Sequence, residues 1–354
     1  MTYLIVGQGL AGTWLSYYLS QQEISFAIIN SASRAAASKV ASGVINPVTG
    51  RRIVQTWNIE EILPFSVAAY LSMQELLNTT LIQKAPVILI HPSEQMKESF
   101  EHRLHHDNVY LRNIHEELSI PHLNTPLGKG MIDSCYWIDL NTMLLKWKQM
   151  QIEKGNYITD DFEMSDLTLT NQQVSWKNIT ANKIIFCDGV NAFNNPYFNA
   201  LPFAPNKGEA LIVQIKNLSP HYIYKSNVTI VPWKEDLFWV GSNYEWDFNH
   251  LQPSENFKLK MIEGLNQLLN IPYEIKDHIV GLRPANRERR PFVGYHPVYK
   301  NVGILNGLGT KGCTLAPFFA AQLITQDLKG TPIHPEANLN RFNELLSQNS
   351  LSRS

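Results

Sequence analysis

Three glycines near the start of the chain have the spacing of a phosphate-binding turn. Gly7, Gly9 and Gly12 follow an apolar run, Tyr3–Val6, that is typical of a buried parallel strand, and precede a segment with helical periodicity. In this pattern the first glycine permits a tight turn, the second lets the backbone approach a pyrophosphate, and the third lets helix and strand pack closely. The helix N-terminus adds N–H donors and a partial positive charge. We predict a dinucleotide-binding turn, the alternative being a glycine turn in another α/β protein; its residues are Gly7, Gly9, Leu10, Ala11 and Gly12.

The residue after the second predicted strand departs from the usual dinucleotide pattern. The apolar run Ser25–Ile29 completes a βαβ unit, and Asn30 follows where an acidic residue usually binds the ribose hydroxyls. The amide oxygen of Asn30 can accept a hydrogen bond from a hydroxyl without carrying a charge. We therefore expect Asn30 to contact a ribose, although this position does not distinguish NAD from FAD. A loop of small residues is expected from Ser31 to Gly43.

The composition favours a folded, nearly neutral protein of two domains. The 354 residues exceed what one ordinary core usually holds, and 44% of them are hydrophobic. Charged residues make up 17%, which argues against disorder. The formal net charge of −1 predicts no overall attraction to nucleic acid or to an acidic membrane, although it allows a local basic patch.

Cysteine usage and the start of the chain indicate a compartment. The three cysteines, Cys135, Cys187 and Cys313, are few and widely spaced, so we expect neither a disulfide framework nor a metal site. A reducing environment fits such a set. No basic leader precedes the first apolar run, and no apolar run approaches the ~20 residues that span a bilayer. We therefore expect a cytoplasmic protein with no membrane partner.

Three short motifs follow one another toward the end of the chain: Gly281–Pro284, Arg290–Gly294 and Asn306–Gly312. Together with the N-terminal glycine turn, the segment 41–47 and Lys207–Glu209, this order resembles the D-amino-acid oxidase superfamily, which includes glycine oxidase and sarcosine oxidase. The chain is also similar to the FAD domain of the bifunctional tRNA wobble-uridine modification enzyme. The motifs touch both ends and the middle of the chain.

The resemblance implies a non-covalently bound FAD and a fold of two interleaved parts. The expected class is α/β (α+β), with a Rossmann-like FAD-binding domain and a mostly antiparallel sheet that covers the flavin and shapes the substrate pocket. We expect no covalent flavin bond, because Cys313 follows the last loop glycine, whereas sarcosine oxidase uses a cysteine elsewhere in that loop. The tail after Leu346 is expected to fray. The implied domains are 1–78, 136–203 and 280–346 for FAD, and 79–135 and 204–279 for the substrate.

The resemblance also implies further cofactor contacts. Ser42 and Gly43 should approach the flavin, and the turn from Gly307 to Gly312 should lie near the pyrimidine end of the isoalloxazine. Gly189 closes an apolar strand that returns the chain to the first domain. Besides the first glycine turn and Asn30, the expected contacts are Ser42, Gly43, Gly189, Gly307, Gly309, Thr310, Lys311 and Gly312.

The candidates for the reaction itself are Arg283, Lys311 and Tyr244, and Trp246 lies close to Tyr244 in the sequence. Arg283 can grip a substrate carboxylate with its guanidinium, as glycine oxidase is understood to do, or it can pin a turn through backbone carbonyls. Lys311 can stabilise the negative charge of reduced flavin, or it can be a surface lysine. Tyr244 and Trp246 can line the substrate pocket or serve in packing.

These residues favour an amine or amino-acid oxidase that transfers a hydride to flavin and leaves an imine to be hydrolysed. One alternative is an oxidase that removes a carboxymethyl group from a tRNA wobble uridine, for which Arg287, Arg289 and Arg290 are the candidate contacts. A flavin-binding protein without catalysis is another. A dehydrogenase that uses only NAD agrees with the N-terminus but not with the C-terminal motifs. A contiguous basic surface would favour tRNA, and a closed pocket would favour a small molecule.

Overall fold

Helices and strands alternate along the chain in the computed structural model, which describes residues 1–32, 37–50, 52–106, 109–114 and 120–351. The helices are α1 (Leu10–Gln21), α2 (Ala37–Val40), α3 (Ile59–Leu76), α4 (Glu94–His106), α5 (Leu140–Glu153), α6 (Glu255–Leu268), α7 (Gly312–Lys329) and α8 (Asn343–Leu351). The strands are β1 (Tyr3–Val6), β2 (Phe26–Asn30), β3 (Val44–Ile45), β4 (Val48–Thr49), β5 (Val54–Gln55), β6 (Ile82–Lys84), β7 (Val87–Ile90), β8 (Leu111–Asn113), β9 (Lys129–Ile132), β10 (Tyr136–Ile138), β11 (Tyr157–Thr159), β12 (Leu167–Leu169), β13 (Val174–Trp176), β14 (Ile179–Ala181), β15 (Lys183–Phe186), β16 (Asn206–Gln214), β17 (Ile223–Lys225), β18 (Thr229–Lys234), β19 (Leu237–Gly241), β20 (Glu274–Arg283), β21 (Phe292–Tyr295) and β22 (Val302–Asn306).

Contacts divide the chain into two compact units, each built from separate segments. The first unit contains Met1–Ala41, Leu140–Asn206 and Leu282–Ser354, and the second contains Ser42–Asp139 and Lys207–Gly281. These contact boundaries place residues 42–78 in the second unit, whereas the sequence-based division groups them with 1–41. The assignment of cofactor and substrate roles to domains stays a prediction.

The first unit contains a six-stranded sheet in the order β11-β2-β1-β15-β22-β21. The pairs along β11, β2, β1, β15 and β22 are parallel, and β21 pairs with β22 in the antiparallel direction. Strand order reverses at β1, which has β2 on one side and β15 on the other. In open parallel sheets, ligands bind beyond the carboxyl ends of the strands at such a switch point. The topology therefore directs attention to the turns after Val6 and Phe186.

The hydrophobic core of the first unit explains why these short runs become strands. All four residues of β1 are buried, as expected for a parallel sheet covered on both faces. Helix α1 buries most of its surface, including Trp14 and Leu15 at 0% exposure. Leu346 is fully buried in the same core as β1. Its burial holds α8 against the core, and the helix continues to Leu351, past the point where the tail was expected to fray. Residues 352–354, the rest of that tail, lie outside the described residues.

The second unit contains an eight-stranded sheet in the order β20-β16-β19-β18-β17-β7-β9-β8. Its strand pairs β16–β19, β17–β18, β18–β19, β7–β9 and β8–β9 are antiparallel, whereas β17 and β7 run parallel. One parallel and one mostly antiparallel sheet confirm the predicted mixed α/β fold class.

Two further observations concern local structure. The small-residue loop expected from Ser31 to Gly43 contains the one-turn helix α2, and residues 33–36 of that loop lie outside the described residues. Within the described ranges, no helix is both long and apolar enough to cross a membrane.

Candidate functional site

The first glycine turn joins β1 to α1 at the switch point. Gly7 has a φ of +98°, a conformation that glycine adopts readily and other residues avoid. A Cβ atom built on Gly12 would stand 1.9 Å from the carbonyl oxygen of Gly7, so this position excludes any side chain. Within the part of the chain that the structure describes, a Cβ on Gly9 would meet only the Ser38 hydroxyl, at 3.1 Å. Gly12 is thus fixed by the protein's own packing, whereas Gly9 presents backbone that a ligand can approach.

The N-terminus of α1 suits an anion. Its N-cap is Gly9, which provides no capping side chain, and its first turn carries no acidic residue. The backbone N–H of Leu10 donates to the Ser38 hydroxyl at 3.1 Å. No carboxylate in the first turn of α1 compensates the positive end of the helix dipole. This arrangement fits a bound pyrophosphate.

Asn30 braces this turn. Its side-chain oxygen accepts a hydrogen bond from the backbone N–H of Gln8 at 2.8 Å, and its amide nitrogen donates to the carbonyl of Ser31 at 3.0 Å. The Gln8 side chain donates to the carbonyl of Leu144 at 2.9 Å, on α5. Asn30 thereby fixes the shape of the glycine turn, and its contact with a ribose stays a prediction.

A second turn, after β22, is tied to the turn after β15 by Asn306. The Asn306 side chain donates to the Asp188 carboxylate at 3.1 Å and to the Gly189 carbonyl at 2.9 Å, and it accepts from the backbone N–H of Gly307 at 2.8 Å. Asn306 is 2% exposed, so its amide is committed to these bonds. The carboxyl ends of β15 and β22 are thus held together.

Hydrogen bonds also join the turn after β22 to the loop that follows β20. Asn286, which is 4% exposed, donates to the carbonyls of Gly307 at 2.9 Å and Arg290 at 2.7 Å. The backbone N–H of Gly309 donates to the Pro284 carbonyl at 3.3 Å. Arg283 directly precedes Pro284 in the chain. The candidate carboxylate-binding residue is therefore next to a residue that contacts the second glycine turn, Gly307–Gly312.

Arg283 is half-buried and has a buried partner. One of its guanidinium nitrogens donates to the side-chain oxygen of Asn206 at 2.7 Å. Asn206 is 1% exposed. Sequence reasoning identified Arg283 and missed its partner, since 77 residues separate the two.

Lys311 and Thr310 lie where the second turn enters α7. The Thr310 side chain is exposed and Lys311 is half-buried. The backbone N–H of Lys311 donates to the carbonyl of Leu308 at 3.1 Å. A Cβ on Gly312 would stand 3.1 Å from the Leu10 side chain, so α7 begins in close contact with α1. The N-termini of both helices thus meet at one edge of the unit.

Most of the predicted cofactor residues therefore lie at the carboxyl edge of the parallel sheet in the first unit. They are Gly7, Gly9, Leu10, Ala11, Gly12, Asn30, Gly189, Gly307, Gly309, Thr310, Lys311 and Gly312.

The other two predicted cofactor residues, Ser42 and Gly43, and the catalytic candidate Tyr244 belong to the second unit. A Cβ on Gly43 would stand 2.1 Å from the carbonyl oxygen of Ile138, and the Gly43 carbonyl accepts from Ile138 N–H at 2.8 Å. Glycine is thus required there for strand packing, next to the half-buried Ser42. Tyr244 is 57% exposed, on a loop that also carries Trp246 at 58%.

That loop is anchored by a buried charged cluster that contains Lys207 and Glu209, two residues of the motif shared with the D-amino-acid oxidase superfamily. Glu209 is 1% exposed and accepts from both the backbone N–H and the hydroxyl of Ser254, each at 2.7 Å. Lys207 Nζ lies 3.3 Å from both Glu209 and Glu245, and His278 Nε2 lies 2.9 Å from Glu209. Burial acts to raise the pKa of Glu209, but hydrogen bonds from Ser254 and Lys207 outweigh it and hold the pKa below its usual value.

The cysteines are buried and unreactive. Burial raises the pKa of Cys135 and of Cys313 to about 12, and it raises that of Cys187 as well. A thiol in such surroundings stays protonated and is a poor nucleophile. Among the described residues, no group of three or more His, Cys, Asp or Glu side chains is arranged to hold a metal ion.

Comparison with known proteins supplies independent evidence. A family model described as FAD dependent oxidoreductase, DAO, matches residues 2–326. Glycine oxidase from Bacillus cereus ATCC 14579 is similar in fold, with a TM-score of 0.80 and 18% identity over 98% of this chain and 97% of that one. Iminodiacetate oxidase from Chelativorans sp. BNC1 has a TM-score of 0.78 and 17% identity over 94% and 96%. L-alpha-glycerophosphate oxidase from Mycoplasma pneumoniae, with FAD bound, has a TM-score of 0.69 and 17% identity over 96% and 98%.

At these identities the solved structures show the fold, whereas the family match spans most of the sequence. It covers both glycine turns and ends within α7. The chain therefore belongs to the DAO family of FAD-dependent oxidoreductases, and FAD is its cofactor.

Proposed function

We propose that this enzyme oxidises the C–N bond of a small amine or amino acid that carries a carboxylate, with FAD held non-covalently. When bound, FAD accepts the hydride from the substrate carbon, and the imine that remains is hydrolysed by water. Arg283 binds the substrate carboxylate, and Lys311 places positive charge beside the flavin. The cofactor contacts at the two glycine turns, Ser42 and Gly43 are part of this proposal.

The placement of Arg283 carries the proposal. Its neighbour Pro284 accepts a hydrogen bond from Gly309, so the guanidinium is attached to a backbone frame that includes the second glycine turn. A planar guanidinium can form two parallel hydrogen bonds to a carboxylate, which adds orientation as well as affinity. Orientation matters because hydride transfer needs the substrate carbon close to the flavin.

The fold alone does not select this chemistry. One structural neighbour is a glycerophosphate oxidase, and others are glycine oxidase and iminodiacetate oxidase. The order of motifs around Arg283 resembles the enzymes that act on amino acids, which favours C–N over C–O oxidation for this chain.

Support for non-covalent FAD comes from Cys313. Its burial raises the pKa of the thiol to about 12, so the thiolate needed for attack on a flavin is scarce. Acid precipitation should release all of the FAD into the supernatant. Flavin that remains with the pellet would show a covalent bond.

Anaerobic reduction of the bound flavin tests the substrate. Glycine, sarcosine and proline form one panel, and dimethylamine, glycerol 3-phosphate and tRNA form the comparison. We expect bleaching of the flavin absorbance by at least one of the carboxylated amines and slower bleaching by dimethylamine. Bleaching by glycerol 3-phosphate alone would contradict the proposal.

A tRNA substrate has weaker support. Arg290 pairs with Glu336 at 2.7 Å, and Glu288, between Arg287 and Arg289 in the sequence, pairs with Arg341 at 3.5 Å. The acidic partners reduce the positive charge that a phosphate backbone would need. Bleaching by tRNA but by no small amine would favour this alternative, and no bleaching by any compound would favour a protein that binds flavin without catalysis.

A further inference from the structure

Arg283 sits at the end of a rigid backbone frame. The Ala204 N–H donates to the Ala285 carbonyl at 2.8 Å, and the Arg287 N–H donates to the Pro202 carbonyl at 3.1 Å. An antiparallel bridge pairs Phe203 with Asn286 between these two bonds. The segments 202–206 and 283–287 are therefore fixed against each other along their length.

This frame brings the side chains of Asn206 and Arg283 together. Asn206 begins β16 and Arg283 ends β20, and the two strands are neighbours in one sheet. The 2.7 Å hydrogen bond from the guanidinium to the Asn206 oxygen joins them. At 1% exposure, the Asn206 amide has little access to water, so the bond does not compete with bulk solvent.

A neutral acceptor suits a guanidinium that must bind an anion. An arginine side chain has considerable rotamer freedom, and ordering it in advance lowers the entropic cost of binding. A carboxylate in place of the Asn206 amide would order the arginine too, but its charge would compete with that of the ligand. An amide orients the guanidinium and leaves its positive charge intact.

We propose that Asn206 is a positioning residue that orients Arg283 for the carboxylate of the substrate. The proposal rests on the proposed function, in which Arg283 is the carboxylate clamp. Asn206 acts through Arg283 and contacts neither substrate nor flavin.

Two variants of the FAD-loaded enzyme test this role. Asn206→Ala removes the acceptor, and Asn206→Asp keeps the shape and adds a charge. Asn301→Ala is the control, because Asn301 donates to the carbonyls of Thr170 and Gln173 near the amino end of β22, away from the turns. Flavin content and thermal midpoint are measured for each variant.

The first readout needs no turnover. Acetate is titrated into the oxidised enzyme while the flavin spectrum is recorded. We expect Asn206→Ala to weaken acetate binding about three- to tenfold, as loss of one preordered side chain implies. Asn206→Asp should weaken it about tenfold or more, since a charged acceptor competes directly with acetate. Asn301→Ala should bind acetate as the unmodified enzyme does.

The second readout separates positioning from structure. For sarcosine, KM should rise in both variants while kcat stays nearly constant, and the constants for dimethylamine should not change. Unchanged acetate affinity in both variants, or an equal rise of KM for dimethylamine, would overturn the role. If no amine reduces the flavin but acetate still binds more weakly to the variants, the proposed function fails and the positioning of Arg283 stands. If acetate does not perturb the unmodified enzyme while amines reduce it, the positioning role fails and the oxidase function stands.

Discussion

A Cβ atom on Gly12 would lie 1.9 Å from the carbonyl oxygen of Gly7, whereas the only described atom that one on Gly9 would meet is the hydroxyl of Ser38 at 3.1 Å. Glycine is therefore needed at these two positions of the turn for different reasons. Gly12 is required by the contact between α1 and the end of β1. We infer that glycine is needed at position 9 by a ligand that approaches the turn, because the extended backbone of Gly9, with φ −92° and ψ −159°, accommodates any residue.

The first prediction separates these two requirements. Gly9→Val should fold with a thermal midpoint near that of the unmodified apoprotein and should lose FAD, because the valine occupies the place of the pyrophosphate. Gly12→Ala should lower the free energy of unfolding by about 1–3 kcal/mol or more, as overpacking in a close contact does. Flavin absorbance after desalting and thermal unfolding measure the two effects. Stoichiometric FAD in Gly9→Val would show that the phosphates bind elsewhere.

Local sequence patterns predicted the glycine turns, because a tight turn, a close helix contact and a positive φ each favour glycine at a defined position. The residues that brace those turns were not predictable in the same way. Asn286 and Asn306 act through bonds to residues distant in sequence, and an isolated asparagine carries no signal of its partner. Asn306 belongs to the motif Asn306–Gly312, but the glycines of that motif, and not Asn306, predicted a contact with the flavin.

The two-part fold was predicted from the resemblance and not from periodicity. Strand β15 joins the sheet beside β1 although the paired residues Tyr3 and Lys183 lie 180 positions apart in the sequence. Such long-range pairing depends on the whole chain and leaves no local pattern. The role of Lys207 and Glu209 was missed for the same reason, since Ser254 and His278 reach them only in the folded sheet.

The second prediction concerns Arg283. Arg283→Ala should lower kcat/KM for carboxylated amines by about ten- to hundredfold, because a charge-assisted contact contributes roughly 1.5–3 kcal/mol. FAD content should stay the same, since the first glycine turn is unchanged. Steady-state kinetics with sarcosine and dimethylamine make the comparison. An equal loss for both amines would indicate that Arg283 only stabilises its loop.

The third prediction concerns the loop from Ser242 to Ser254. Glu209 bonds Ser254 at one end of this loop, and its backbone N–H donates to Asn243 at the other end at 2.8 Å. Glu209→Gln should leave the buried Lys207 with Glu245 as its carboxylate partner and remove the charge that accepts from Ser254, at a cost of about 1.5–3 kcal/mol in the free energy of unfolding. Amide hydrogen exchange of residues 243–254 should increase.

The effect of Glu209→Gln should also depend on pH. The folded-state pKa of Glu209 is lowered, so its ionised form contributes stability above the unfolded pKa, and this contribution is lost as pH falls through the folded pKa. The difference in unfolding free energy from the unmodified protein should therefore hold from about pH 7 down to the unfolded pKa of about 4.3 and shrink as pH falls further. Glu255→Gln is the control, with an exposed side chain on α6. A pH-independent difference would contradict a role for the charge of Glu209.

The last prediction is that Lys311 sets the redox behaviour of the flavin. The half-buried Lys311 lies in the turn at the start of α7, among the residues proposed to contact FAD. A cation held there stabilises the anionic reduced flavin more than the neutral oxidised form. Lys311→Met keeps the length of the side chain and removes the charge, so the midpoint potential should fall, with about 30 mV corresponding to 1.4 kcal/mol for this two-electron couple. Sulfite affinity and the rate of substrate reduction should fall in parallel, while FAD content stays the same. Lys329→Met, at the exposed far end of α7, is the matched control and should change none of these values. If Lys311→Met has the same midpoint potential and sulfite affinity as Lys329→Met, the ammonium group of Lys311 does not lie near the flavin.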